Sequence, residues 1–179
     1  AVETDTAMIS IAAPVEITKQ PEGATLPEGA QANVTIEVAG ESPVYAWYVN
    51  DALYADCTGN VFNAIMSAEL DGAQVHCVVT DAYGKSASSE KAVLKLAAQL
   101  AITVQPATVE LPEGEMTAIT VEATGDGLTY RWYVMPVSKS EFAVAEGFNT
   151  NVYSVPVDFD SDWSQVYCVI TDAYGNSVT

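Results

Sequence analysis

Three aspartates at alternate positions have the clearest potential for metal chemistry in this sequence. Asp158, Asp160 and Asp162 have the spacing of the first three ligands of a calcium-binding loop, and Ca²⁺ prefers such oxygen ligands. The sixth position of that loop should be glycine and the twelfth a bidentate glutamate, but they hold Trp163 and Val169. An EF-hand is therefore excluded. A looser calcium site stays a weak prediction, and the alternative is a solvated acidic loop in which Asp162 fixes the corner.

Trp163 follows these aspartates directly and is the main candidate for ligand binding. An indole beside acidic side chains can stack on a sugar ring or anchor a protein contact. The alternative is a side chain that folds back over the end of its domain. Phe148 and Tyr153 lie a short way upstream, so the three aromatic residues together predict a candidate carbohydrate site.

A second set of candidate binding residues is expected to point outward from the strands that carry the central tryptophans and cysteines. Tyrosine and arginine are favoured in protein interfaces, so these positions predict a binding face. The alternative is ordinary cross-strand pairing on the surface. The residues are Tyr48, His76, Arg131, Tyr133 and Tyr167.

Catalysis has almost no support in the sequence. His76 is the single histidine, its counterpart in the second half is Tyr167, and no Ser-His-Asp or Cys-His arrangement is visible. Glycoside hydrolysis requires a pair of carboxylates in a cleft, whereas the carboxylates here are scattered along short segments. We therefore expect a protein that is not an enzyme and that binds no cofactor.

An internal repeat organises the elements that carry these residues. The sequence CVVTDAYG at residues 77–84 returns as CVITDAYG at 168–175, an offset of 91. Upstream motifs return at an offset of 85, for example Leu26 as Leu111. The second copy therefore carries six extra residues, which we place between 135 and 150. A repeat this close predicts two similar domains.

The periodicity of the chain predicts β-structure. Val34, Ile36 and Val38 alternate with polar residues, which is the period of a half-buried strand. Short strands separated by turn residues, with no helical period, indicate an antiparallel sandwich or barrel. We expect one domain at residues 14–98 and a second at 99–179, joined by a short apolar connection.

The order of motifs within each copy resembles a known family. An inward tryptophan followed by Asp-x-Ala-x-Val-x-Cys is similar to the third-to-sixth strand signature of immunoglobulin-like domains. The first copy carries it as Trp47 and residues 71–77, and the second as Trp132 and residues 162–168, with serine replacing alanine. The ending VTDAYG resembles tandem Ig-like domains of bacterial cell-surface proteins. The resemblance implies an all-β fold of two tandem immunoglobulin-like antiparallel β-sandwiches.

One departure from the family concerns its inter-sheet disulfide. The position of the second-strand cysteine holds an aliphatic residue in both copies, so that disulfide cannot form. We expect each tryptophan to pack on this aliphatic residue and on a free thiol instead. The predicted structural core comprises Ile36, Trp47, Cys77, Val121, Trp132 and Cys168.

The three cysteines are predicted to be structural. A buried free cysteine behaves as a small hydrophobe, so Cys77 and Cys168 are expected to be core thiols in separate domains and not a redox or metal pair. Cys57 is expected in a loop before Phe62. The alternative for Cys57 is a disulfide with Cys77, its single potential partner within the domain.

Composition limits the partners. The net charge of −18 opposes binding to nucleic acid or to anionic membranes, and no apolar run approaches the ~20 residues of a membrane span. The favoured function is a non-catalytic segment of a secreted or cell-surface bacterial protein, extracellular or attached to the cell wall. It would act as a spacer or adhesion module with a protein or glycan partner. The alternative is a carbohydrate-binding or accessory domain of an extracellular polysaccharide-active protein.

The ends of the chain suggest a strand exchange. Residues 1–13 align with 86–98, so they are expected to form a lead-in strand, similar to the final strand of a preceding repeat. The second domain is expected to lack the end of its own final strand at Thr179. We therefore predict that residues 6–12 pair along the first domain or add to the second domain of another copy, which gives self-association.

Overall fold

A computed structural model describes residue 11 and residues 13–179 of the chain. The predictions of a lead-in strand over residues 1–13 and of strand addition through residues 6–12 fall almost entirely outside these residues and stay predictions. The chain divides into two compact units between Leu96 and Ala97. The ordered elements described are β-strands and one short 3-10 turn, so the fold is all-β. Within these ranges no helix has the length and apolar character needed to cross a membrane.

The first unit contains strands of three to seven residues and a 3-10 turn at Ala68–Leu70. The strands are β1 (Glu16–Lys19), β2 (Ala24–Leu26), β3 (Gln31–Thr35), β4 (Glu37–Ala39), β5 (Val44–Val49), β6 (Ala52–Tyr54), β7 (Val61–Ile65), β8 (Gln74–Thr80), β9 (Ser86–Ser88) and β10 (Ala92–Leu96).

Two layers of these strands enclose the core of the first unit. One sheet has the order β2-β10-β8-β5-β6, with β9 also paired to β8. The opposite layer consists of β1 paired with β4 and β3 paired with β7. The β2–β10 pair is parallel, whereas the other pairs in this unit are antiparallel. Alternation explains the packing, because Val34 and Phe62 lie opposite one another and both are fully buried.

The second unit repeats most of this plan, with several strands shortened to two residues. Its strands are β11 (Ala101–Val104), β12 (Ile119–Thr120), β13 (Glu122–Thr124), β14 (Thr129–Met135), β15 (Ala143–Val144), β16 (Val152–Tyr153), β17 (Gln165–Thr171) and β18 (Ser177–Val178). One sheet has the order β15-β14-β17-β18, and the opposite layer pairs β11 with β13 and β12 with β16.

A tryptophan lies at the centre of each sandwich. Its indole nitrogen donates to a backbone carbonyl in both units, Trp47 to Gly59 at 2.8 Å and Trp132 to Thr150 at 2.9 Å. Burial of a tryptophan therefore leaves no unpaired N–H group, which would otherwise cost free energy. The residues that the sequence analysis assigned to the core are all at most 3% exposed: Ile36, Trp47, Cys77, Val121, Trp132 and Cys168.

The repeated Thr-Asp-Ala-Tyr-Gly segment forms a turn that is organised by its aspartate. Asp172 is buried, and its Oδ1 accepts hydrogen bonds from the backbone N–H groups of Tyr174 and Asn176, each at 2.9 Å. Asp81 makes the matching bonds in the first unit. The glycine that follows has a left-handed φ of 86° at Gly175, which favours glycine over residues with a Cβ atom. The recurrence of the aspartate and the glycine in both copies is thus explained by the requirements of the turn.

The six extra residues of the second copy lie within one hairpin. Two residues separate Val49 from its partner Ala52, whereas eight separate Val134 from its partner Ala143. The equivalent pairings are otherwise preserved. The insertion therefore lengthens the β14–β15 turn between residues 135 and 142, and it brings Phe142 to the outer face of the sheet.

The aromatic ring that packs on Phe62, or on its equivalent Tyr153, comes from different sequence positions in the two units. In the first unit Tyr54 packs on Phe62 with ring centroids 5.0 Å apart, and the buried Cys57 lies three residues later. The second unit has a buried alanine at the position of Tyr54, and Phe148 takes the position of Cys57. The Phe148 ring then packs on the residue equivalent to Phe62 at 4.6 Å. The second unit thus has a small residue where the first has an aromatic one, and an aromatic residue where the first has a small one. An aromatic ring packs in this part of the core in both units.

Candidate functional site

An acidic loop at residues 158–164 carries the two most exposed aromatic side chains among the described residues. Phe159 is 90% exposed and Trp163 is 83% exposed. The loop leads into β17, the strand that carries Cys168. Because its side chain is exposed, Trp163 does not fold back over the end of the sandwich. Sequence reasoning missed Phe159, although its counterpart at an offset of 91 is Ala68, and the change from alanine to phenylalanine in an acidic loop was an available signal.

The backbone at Trp163 is in the left-handed region, with φ of 55°. Gly72 occupies the equivalent position in the first unit, with φ of 73°. This conformation costs a residue with a Cβ atom about 1–2 kcal/mol, whereas it costs glycine almost no free energy. The second unit thus carries a tryptophan where the turn itself favours glycine.

Hydrogen bonds around Asp158 hold the loop in one conformation. Its Oδ1 accepts from the backbone N–H of Ser161 at 2.8 Å, and its own N–H donates to the Ser161 hydroxyl at 2.8 Å. The backbone N–H of Asp162 donates to the carbonyl of Asp158 at 3.0 Å. The bonds from Ser161 lower the pKa of the Asp158 carboxyl. The corner is thus fixed by Asp158, and the alternative in which Asp162 fixes it is wrong.

The structure does not bring Asp158, Asp160 and Asp162 together as metal ligands. Among the residues described there is no group of three or more histidine, cysteine or acidic side chains that could hold a metal ion. Asp160 and Asp162 are exposed, and Asp158 has its carboxylate engaged by Ser161. These aspartates flank Phe159 and precede Trp163 in the sequence, so the loop that carries the two rings is acidic.

The outward face of β14 and β17 carries a packed aromatic group. The rings of Tyr133 and Tyr167 are stacked, with centroids 4.9 Å apart and planes within 5°. Phe142 meets Tyr167 edge-on at 4.8 Å, and the Arg131 guanidinium lies 5.8 Å from the centre of the Tyr133 ring. Because these faces are largely covered by one another, the group behaves as a set of cross-strand pairs.

Tyr48 and His76 form the equivalent pair in the first unit, with centroids 5.1 Å apart and planes within 12°. The Nδ1 atom of His76 is buried and has no hydrogen-bond partner; the Asp51 carboxylate is 3.8 Å away. Asp51 binds the Lys91 ammonium instead, at 2.8 and 2.9 Å, and this hydrogen bond lowers the pKa of the Asp51 carboxyl. The sequence predicted an outward strand position for His76, but it gave no indication that the Nδ1 atom is buried without a hydrogen-bond partner.

All three cysteines are free and buried. Burial raises the pKa of Cys77 to about 11 and also raises that of Cys168, so both remain protonated at neutral pH. Cys57 lies in the loop between β6 and β7, and its sulfur accepts the backbone N–H of Asn63 at 3.1 Å. The alternative of a bond between Cys57 and Cys77 is therefore wrong in this structure.

Phe148 and Tyr153 are parts of the core and not of a surface site. Tyr153 is 7% exposed and contacts Trp132 with centroids 5.7 Å apart. Phe148 is half-buried and packs on Tyr153. The expectation that they join Trp163 in a carbohydrate site is wrong, and of that group Trp163 alone is exposed.

Comparison with known proteins shows a sequence similarity to an enzyme. No protein-family model matches the chain. Endoglucanase C of Cellulomonas fimi is 30% identical over 177 residues, which is 93% of this chain and 16% of that protein. The chain therefore spans about a sixth of the length of the relative it matches.

Solved structures with tandem domains share the fold. Titin domains A168–A170 match with a TM-score of 0.59 at 11% identity, over 94% of this chain and 64% of that one. DIP-gamma IG1+IG2 matches with a TM-score of 0.51 at 13% identity, over 93% and 94% of the two chains. Rst D1-D2 matches with a TM-score of 0.55 at 13% identity, over 93% and 97%. The chain thus folds as two tandem immunoglobulin-like β-sandwiches, which confirms the fold implied by the sequence resemblance.

Proposed function

We propose that this pair of domains is a non-catalytic accessory segment of an extracellular protein that acts on polysaccharide. The observation that carries the proposal is the match to Endoglucanase C, which spans both domains but only 16% of that protein. A match of this extent fits a pair of accessory domains within a larger protein, because the remaining length can hold other domains.

The chemistry of the described residues supports a non-catalytic role. The acidic groups with lowered pKa values are used in structure: Asp51 binds a lysine, and Asp158 and Asp172 organise turns. Their shifts have local causes and do not belong to a pair of carboxylates in one cleft, as glycoside hydrolysis requires. The immunoglobulin-like fold itself hosts many functions, so it does not argue for an enzyme.

Deletion of residues 15–179 from the full polypeptide tests the proposal. Hydrolysis of a soluble oligosaccharide should be unchanged, whereas hydrolysis of an insoluble polysaccharide should fall, because an accessory segment affects access to the polymer and not the chemical step. An equal loss on both substrates would place the segment within the catalytic apparatus. Equal activity on both, with and without the segment, would contradict an accessory role.

A spacer or adhesion segment at the cell surface is the second candidate. The stacked faces of Tyr133 and Tyr167 favour it, since rings that cover each other leave little free aromatic surface for a ligand on this sheet. The net charge of −18 suits an exposed segment, because it keeps the protein soluble. Deletion of the segment would then change cell-surface display or attachment of the full polypeptide without any effect on polysaccharide hydrolysis.

A further inference from the structure

We propose that Phe159 and Trp163 form a binding site for a neutral polysaccharide chain, with the rings stacking on sugar faces. This inference rests on the proposed accessory function and names the ligand class that the segment would contact.

The fold does not need either ring. The first unit has Ala68 and Gly72 at the equivalent positions and completes its core without them. In the second unit Phe159 and Trp163 are 90% and 83% exposed, and neither belongs to the buried cluster around Trp132. Both large apolar side chains are exposed to water, and Trp163 also has a backbone conformation that is unfavourable for residues with a Cβ atom. These two features point to contact with a ligand.

The loop presents the rings on a fixed backbone. The hydrogen bonds between Asp158 and Ser161 and from Asp162 to Asp158 tie its turn, and the Ser164 hydroxyl donates to the carbonyl of Asp160 at 3.3 Å. A loop that is already ordered loses little conformational freedom when a ligand binds. Each ring also has only two rotatable side-chain bonds, which keeps the entropic cost low.

The surroundings of the rings favour a neutral sugar polymer. Sugars present apolar C–H faces to aromatic rings and hydroxyl donors to nearby carboxylates, and Asp160 and Asp162 supply exposed acceptors. The same carboxylates and the net charge of −18 repel polyanions and anionic membranes. Acidic residues are depleted in protein interfaces, so this rim is less suited to a protein partner.

Retention on insoluble polymers tests the site with the chain of 179 residues. The probes are amorphous cellulose, xylan and mannan, with polygalacturonate as the anionic comparison. The unaltered chain should be retained by at least one neutral polymer and not by polygalacturonate. Phe159→Ala and Trp163→Gly should each weaken retention on the order of tenfold, the effect of losing a central aromatic contact.

Trp163→Gly is the decisive variant because it installs the residue found in the first unit. Glycine is unstrained at a left-handed φ, so the melting temperature should not fall and lost retention cannot be assigned to unfolding. Tyr83→Ala is the matched control, since Tyr83 is 60% exposed and lies in the first unit. It should be retained as well as the unaltered chain.

Three outcomes would overturn the inference: no retention of the unaltered chain by any neutral polymer, normal retention of Trp163→Gly, or an equal loss in Tyr83→Ala. If light scattering showed that Trp163→Gly abolishes self-association while no polymer retains the chain, the rings would belong to a protein contact. The deletion experiment on the full polypeptide is independent of these results. An accessory effect there, combined with no retention here, would reject the sugar site and leave the proposed function standing.

Discussion

Trp132 lies directly opposite Cys168 in neighbouring antiparallel strands, and both residues are buried at the centre of the second sandwich. Trp47 and Cys77 have the same relationship in the first. The thiols do not bond to the opposite layer, where Ile36 and Val121 stand. Each sandwich is thus held together by packing and hydrogen bonds, without the about 2–4 kcal/mol that a disulfide contributes.

Trp47→Ala and Trp132→Ala should each destabilise their own domain by about 3–5 kcal/mol, because a large cavity forms and an aromatic contact is lost. Thermal or urea unfolding followed by a domain-specific probe measures this effect. Leu53→Ala serves as a control, since Leu53 is 62% exposed and should change stability little. A native unfolding profile for either tryptophan variant would show that the residue is not central to its sandwich.

Thiol chemistry should show three free cysteines after unfolding without reductant, and slow labelling in the native state. The folded pKa of Cys77 is raised to about 11, above its unfolded value, so its contribution to stability is complete below the unfolded pKa. That contribution is lost as the pH rises towards 11. The first domain should therefore lose stability in this alkaline range, and Cys77→Ala should show a shallower pH slope. A single titratable thiol after unfolding, or an unchanged slope, would contradict this account.

The repeat and the alternation of residues were sufficient to predict two all-β domains, and the resemblance of the Trp and Asp-x-Ala-x-Val-x-Cys motifs to immunoglobulin-like domains specified the type of sandwich. The register of Trp47 and Cys77 follows from period-two patterning, because a slip by one residue would turn the tryptophan to solvent. The offset change from 85 to 91 located the insertion broadly, but only the pairing of Val134 with Ala143 shows that it lies in one hairpin. Strand pairing is a tertiary property, and the sequence pattern alone does not fix the length of each turn.

Acid should destabilise the second domain through Asp172. The hydrogen bond from the Asn176 side chain, with those from backbone N–H groups, lowers its folded pKa below the unfolded value. Its contribution is present above the unfolded pKa, about 3.9, and is lost as the pH falls through the folded pKa. The melting temperature should therefore fall below about pH 4. Asp172→Asn should flatten that fall, whereas Asp162→Asn, at an exposed position, should not; equal profiles for the two variants would contradict the assignment.

His76→Tyr should stabilise the first domain by about 1 kcal/mol at pH 8, because it removes a buried nitrogen without a hydrogen-bond partner. Tyrosine is the residue at the equivalent position of the second domain, where it stacks on Tyr133, so stacking on Tyr48 should be kept. The reciprocal change, Tyr167→His, should destabilise the second domain. Chemical unfolding of both variants measures these effects, and a loss of stability in His76→Tyr would show that the histidine is accommodated without cost.

The candidate site was less predictable than the fold. Trp163, Phe148 and Tyr153 are aromatic residues that lie close together in the sequence, and residue type alone does not distinguish a ring that faces water from one that fills the core. Burial is decided by the neighbouring strand, as for Phe148, which fills the space left by Ala145. Comparison of the two copies is more informative, because an aromatic residue whose equivalent in the other copy is glycine or alanine is not required by the shared fold.

The residues at positions 145 and 148 of the second domain can be replaced by those found at the equivalent positions of the first domain. Phe148→Cys should destabilise the second domain by about 2–3 kcal/mol through loss of its ring from Tyr153, and Ala145→Tyr should cost about 1–3 kcal/mol by overpacking. The double variant recreates the arrangement of Tyr54 and Cys57 in the first domain, where Tyr54 packs on Phe62. Its loss of stability should therefore be smaller than the sum of the two single losses by at least about 1 kcal/mol. Urea unfolding of all four proteins measures this coupling. Additive losses would show that the two positions do not share one space in the core.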